Sequence, residues 1–308
     1  MAELSIGDAV GSGFQLIRRR PAAVLLWGLV ELALAAATAG LFGSFYLDVI
    51  SQVLANAQSG ATTSSPEVMG RILSMQMSSY LLSLVSMFVR TVLYCAVFRS
   101  VLRPDDSRFG YLRVGAAELF LFIILIGVYI AAIVALVVPL LVVGVLVAGL
   151  VAAHAVAAAV IVGIIASVAL FVGIVYVALR FSLVGPMTVD DGKFHLFDAW
   201  ALTRRHAGGL FVLALCLFAI LLIGEVVVGL VALLTGISLL SSMAGGLSHI
   251  QIFFHQSPAV ILASLAPFLL GAAVLWIPLT GCMFAISGAP WAKAYRDLSG
   301  PDLAATFA

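Results

Sequence analysis

Charge is what this chain has least of. Only 9% of its 308 residues are Asp, Glu, Lys or Arg, against 64% hydrophobic residues and a mean hydropathy of +1.23. No soluble domain of this length could bury that much apolar surface, so a soluble fold is excluded. The net charge of +1 is spread along the chain, which leaves no basic face for nucleic acid. Cysteine is scarce too: Cys95, Cys216 and Cys282 all fall in apolar tracts, where a thiol is a small hydrophobe and not part of a disulfide framework. Short alternating segments are missing, which argues against a β-barrel. Catalytic patterns are missing as well. His249 and His255 have no cysteine or acid nearby, no Ser, His and acid fall in a recognisable arrangement, and no Gly-rich phosphate loop follows a strand. The reading is therefore no enzyme, no cofactor and no metal.

What the chain has in abundance is apolar runs long enough to cross a hydrocarbon core of roughly 30 Å as helices, such as the twenty residues from Leu119 to Val138,. The predicted fold is all-α: a single integral membrane domain over 1–308, with six transmembrane helices and additional surface-lying amphipathic helices. Ser5-Ile6-Gly7-Asp8 resembles a helix-capping box,. The helix it opens carries Ile6, Ala9, Val10, Gly13, Phe14 and Ile17 at helical spacing, so it is predicted to lie flat on the membrane,. Arg18, Arg19 and Arg20 meet the headgroups, and Pro21 opens a first span running to about Gly43,. Ala37-Thr38-Ala39 has the form of a signal-peptide cleavage site. The apolar run before it is too long and holds Glu31, so an uncleaved anchor is expected.

Residues 44–71 form the first outer loop, with Tyr46, Val49, Ile50, Val53, Leu54 and Ala57 on one face of a second surface helix and a flexible turn from Gln58 to Pro66,. The second span is expected from about Ile72 to Phe98, then a basic loop with Arg99, Arg103, Arg108 and Arg113, softened by Asp105 and Asp106. From Val114 to Gly185 the only formal charges are Glu118 and Arg180. Two spans keep Arg180, Lys193, Arg204 and Arg205 on the side of the earlier basic loops, whereas three would export them; two are expected. Pro139 and the stretch from Gly144 to His154 then serve as an apolar outer connection, re-entrant or not. A fifth span covers about Gly209 to Gly236 and a sixth Pro258 to Ser287, kinked at Pro267 and Pro278, with a tail from Trp291,. All Lys and Arg except Arg71 and Arg90 fall on one side, and both termini are expected there.

The charged island from Arg180 to His206 sets this topology. Pro186 is expected to end the fourth span, Asp190 to Lys193 to turn, and Phe194, Phe197, Trp200 and Ala201 to face the membrane from a surface helix,. Asp190 and Asp191 lack the further oxygen ligands of a cation site. Phe14 to Arg20 and Trp200 to His206 form a weak repeat of aromatic, leucine and paired arginines, each preceding a span, explained as well by shared membrane-entry chemistry as by duplication,. SIGDAV with FQLIRRRP near the start, and RFSLVGPMTVDDGK with DAWALTRR in the centre, resemble the membrane domain associated with some glycerophosphoryl diester phosphodiesterases, and related six-span bacterial membrane proteins of unknown role. The resemblance implies a six-helix bacterial inner-membrane module and implies no activity; the basic side, with both termini, is expected to be cytoplasmic from the charge count. The soluble metal-binding barrel of those enzymes has no counterpart in these residues.

Membrane-embedded charge is the remaining signal. Glu31, Arg90, Glu118 and Glu225 each need a partner, a proton or water. At about 1.5 Å per residue, Arg90 lies roughly 13 Å from Arg99 along its helix and Glu31 roughly 16 Å from Arg20, while Glu118 is about 7 Å from Arg113. Glu31 and Arg90 are thus the candidate buried ion pair, with Glu118 and Glu225 as other embedded charges. Expected partners are the lipid bilayer and either a protein partner or a lipid ligand, with no nucleic acid. The expected role is non-catalytic: an envelope scaffold or assembly partner, or else a protein that handles lipid or a small amphiphile, or a transport accessory.

Overall fold

Pro21 separates the first two helices. The computed structural model describes residues 5–59, 66–204, 206–242 and 258–304. Helix α1, Ile6–Arg19, is capped by Ser5, whose hydroxyl accepts from the Asp8 amide at 3.4 Å. It ends where Arg20 leaves helical geometry, and Pro21, with no amide hydrogen to lose, opens α2, Pro21–Ser59,. Then follow α3, Pro66–Leu102, a 3-10 turn at Arg108–Tyr111, α4, Ala116–Ala152, and α5, Val156–Phe181. Two short helices come next, α6, Val184–Asp191, and α7, Leu196–Thr203, then α8, Ala207–Ser242, and α9, Pro258–Ala304. No strand occurs among the described residues. Six helices, α2, α3, α4, α5, α8 and α9, are long and apolar enough to cross a membrane. The chain is an all-α, multi-pass membrane protein.

The tract from Val114 to Gly185 holds two long helices, but its middle is not a loop. Helix α4 continues through Pro139 and Gly144 to Ala152, and the connection is only 153–155, with His154 at φ 59. Nothing in 139–152 is re-entrant: an unbroken helix satisfies its own backbone in lipid, which a loop there could not. Helix α2 also runs on to Ser59 as one helix where a separate surface helix was expected over 44–57. The facing of its side chains there, the turn through 60–65, and His249 and His255 lie outside the described residues. Helix α9 likewise absorbs the expected tail and reaches Ala304. Pro186 does not end the fourth span. Helix α5 stops at Phe181, and Pro186 sits buried in the first turn of α6, where a missing amide hydrogen costs no helical bond,.

The packed core gathers where the arginines are, at what we call the basic end. Trp27, Leu93, Val97, Tyr111 and Ala285 form one buried cluster there; Ala9, Leu183, Leu210, Leu213 and Ala294 form a second; Cys95, Leu121, Val184, Ala199 and Ala292 form a third. Helix α1 is part of this core. Its Ala9, Gly13 and Leu16 are buried, with Ala9 packed among residues of α8 and α9 and Leu16 beside Ala285 and Ala289 of α9. The face predicted to meet lipid meets protein instead, and Phe14 stays exposed. Helices α2 and α9 cross at backbone contact: a Cβ on Gly28 would stand 1.8 Å from the Ile277 carbonyl oxygen, and one on Gly281 2.1 Å from that of Val24. Only glycine permits this approach, the usual means by which membrane helices gain packing contact. Away from the basic end, α4 and α5 expose apolar side chains nearly all round, as lipid-facing helices do.

Candidate functional site

Helix α3 enters the bundle with an arginine on its lipid-crossing stretch. Arg90 Nε and Nη2 both donate to one oxygen of Glu31 on α2, Oε1, at 3.1 and 2.6 Å. The partners are unequally placed: the Glu31 side chain is 11% exposed and that of Arg90 58%. Glu31 therefore grips one side of the guanidinium from within the protein. Nη1 and the second Nη2 hydrogen, the end-on edge suited to a carboxylate or phosphate, have no acceptor among the described residues.

Arg90 borders a groove of about 700 Å³ between α2, α3 and α4, lined by Thr38 and Phe42, by Ser79, Leu82, Ser83, Ser86, Met87, Arg90, Thr91 and Tyr94, and by Leu125, Val128, Tyr129 and Ala132. Its polarity comes almost wholly from α3. The hydroxyls of Ser79, Ser83 and Thr91 donate to the carbonyls of Gln76, Ser79 and Met87, each at 2.8 Å. Their protons are used within the helix, so their lone pairs remain to accept from a ligand. Tyr94 shares a hydroxyl contact with Ser287 of α9 at 3.3 Å. The sequence reading singled out Arg90 and passed over Ser79, Ser83, Ser86 and Tyr94. The signal was present: separations of three and four put all of them on one helical face.

Glu118, the embedded charge nearest in depth to Arg113, finds its partner in Arg99. It is buried at the start of α4, where Oε2 accepts from the Gly115 amide at 3.0 Å and Oε1 accepts from Arg99 Nη2. Arg99 Nη1 also donates to the Tyr111 carbonyl at 3.2 Å. Arg113 instead pairs with Asp106. Glu225 lies exposed on α8 with no partner among the described residues.

The island forms a separate polar cluster. His195 bridges two carboxylates, Nδ1 to Asp198 and Nε2 to Asp191, each at 2.6 Å. Partial burial of the ring opposes its charge, but the two carboxylates outweigh this and raise its pKa above the ordinary 6.5,. Asp190 accepts from the Tyr295 hydroxyl at 3.1 Å, and its carbonyl accepts from Arg103. The two adjacent acids are thus each engaged by protein, and no group of three or more metal-ligating side chains occurs among the described residues. Phe194 and Phe197 are exposed as expected, but Trp200 turns inward against Tyr176 and Phe181. It stacks on Arg180, whose guanidinium carbon lies 5.5 Å from the indole and 4.8 Å from the Tyr176 ring. No family profile, no curated protein and no solved structure matches the chain.

Proposed function

We propose that this protein binds an anionic amphiphile of the surrounding bilayer in the groove between α2, α3 and α4, with a non-catalytic, lipid-handling role. The carrying observation is that Arg90, whose end-on edge has no acceptor among the described residues, lines a groove whose remaining wall is largely a tail-compatible apolar surface. Glu31 acts as a positioning residue: it fixes the guanidinium and leaves one edge for the headgroup. The basic residues gathered at one end support placement in a bacterial inner membrane with both termini cytoplasmic. Native mass spectrometry of gently extracted protein tests the binding. We expect co-purifying anionic lipid adducts that Arg90→Gln removes; adducts equally abundant in that variant would refute the assignment.

A second reading, an assembly partner in the envelope, draws on Glu225, an exposed carboxyl on a membrane-spanning helix with no partner among the described residues. A partner helix with a cation or amide at that depth would satisfy it. Loss of a larger species on blue-native gels in Glu225→Leu would favour this reading; unchanged migration would count against it.

A further inference from the structure

The polar face of α3 does not stop at the ion pair. Gln76, Ser79, Ser83, Ser86, Arg90 and Tyr94 are separated by three, four, three, four and four residues, so they lie along one stripe,. At 1.5 Å per residue the stripe is about 27 Å long, nearly the whole hydrocarbon thickness of roughly 30 Å. All but Gln76 line the groove, and Gln76 continues the same face one turn beyond Ser79, its amide donating to the Tyr80 hydroxyl at 3.3 Å. A binding site for a resting lipid needs polarity at headgroup level only. Polar groups at every turn across the span serve a headgroup that moves.

We infer that the groove is a transbilayer path along which the headgroup of an anionic glycerophospholipid passes between leaflets while its tails stay in the membrane. The inference rests on the binding reading above and extends it to an activity, lipid scrambling. The chemistry along the path sorts the substrate. Serine oxygens, with their protons committed to α3 carbonyls, accept from a headgroup that donates. About three-quarters of the way along the stripe from Gln76, Arg90 offers its free edge to the phosphate while Glu31 keeps the site near neutral, so the anion is held without being trapped,. A glycerol headgroup, with both hydroxyl donors and an uncompensated phosphate, fits this order. A choline headgroup, with no donor and a balancing cation, does not.

The test is exchange in reconstituted phosphatidylcholine vesicles carrying a minor fraction of phosphatidylglycerol and a trace of tail-labelled lipid, with dithionite bleaching only the outer leaflet. Labelled phosphatidylglycerol should bleach well past half with protein present, and labelled phosphatidylcholine should exchange more slowly. Ser83→Leu combined with Ser86→Leu should slow phosphatidylglycerol exchange by about tenfold, the effect of losing two ordinary hydrogen bonds along the path. Ser167→Leu, on α5 away from this groove, should leave it unchanged. Should the double leucine variant fail to fold, Glu31→Gln combined with Arg90→Gln serves, and it should abolish the preference for phosphatidylglycerol. Bleaching that stops at half with folded wild-type protein overturns the inference. So does an unchanged rate in the leucine variant, or an intact preference in the glutamine variant. Adducts that persist without exchange overturn scrambling alone; absence of both adducts and exchange overturns the binding reading too.

Discussion

Glu118→Gln is expected to be the most damaging single isosteric change in the membrane-spanning region. Glu118 and Arg99 are 1% and 9% exposed at their side chains, so neither charge can turn to water once the other is removed. Their contact ties together three parts of the chain. Glu118 closes the first turn of α4 on the Gly115 amide, Arg99 reaches the Tyr111 carbonyl, and the loop between them is pinned to α2 by Trp27 Nε1, which donates to the Gly110 carbonyl at 2.9 Å. Breaking a buried pair by removing one partner costs about 3–5 kcal/mol. In a chain of this size that lowers Tm by about 5–8 °C. The further change Arg99→Gln should recover much of the loss, because it removes the stranded cation. Thermal unfolding in detergent, followed by tryptophan fluorescence, reads this directly, since fully buried Trp27 packs against the same loop. If Glu118→Gln shifts Tm no more than Glu31→Gln does, or if the two losses simply add, the pair is not the fastening described.

At the groove either single change, Arg90→Gln or Glu31→Gln, strands an embedded charge at about 2.5–3.5 kcal/mol for a central position, and the double change should recover much of that loss,; losses that simply add in the same unfolding assay would contradict this. His195 should make stability depend on pH. Its folded pKa is raised, so the contribution is fully present below about pH 6.5 and is lost as pH rises through the higher folded value,. A Tm series from about pH 6 to about pH 8 should therefore show a decline that His195→Gln removes, and identical slopes would rule the clamp out. For topology, a cysteine placed at Ala153 should react with an impermeant maleimide on intact cells and one at Lys193 only after lysis; the reverse pattern would invert the proposed orientation.

Counting apolar residues and placing basic ones was enough to find six spans and to divide 114–185 into two, because both depend on length and charge alone. Helix ends were harder. A loop and a helix of equally apolar composition look alike, so the continuation of α4 through Pro139 to Ala152 carried no compositional mark. The docking of α1 was hidden for a related reason. Ala9, Gly13 and Leu16 would suit lipid as well as protein, and only the small residues on α9 opposite them decide the matter. The depths of Glu31 and Arg90 could be read by counting from the nearest basic turn. Which edge of the guanidinium stays open could not, since that depends on a single carboxylate oxygen. Arg99 was read as a loop charge because it follows an apolar run, yet α3 extends past it to Leu102 and turns it inward toward Glu118.

The Glu31–Arg90 pair also bears on how the chain is made. Membrane helices leave the ribosome in order, and α2 precedes α3. Arg90 is costly at the centre of a bilayer, by about 2.5–3.5 kcal/mol on insertion scales, and the helix that carries it is diluted by Gln76 and several serines. Helix α8 also carries a formal charge, Glu225, but in an otherwise apolar run that offsets its cost. For α3 the counter-ion is already in place: Glu31 has entered the translocation machinery before Arg90 is synthesised. The α2–α3 hairpin is thus the natural unit of integration, and a chain lacking Glu31 would meet its first obstacle during synthesis, before there is a fold to destabilise.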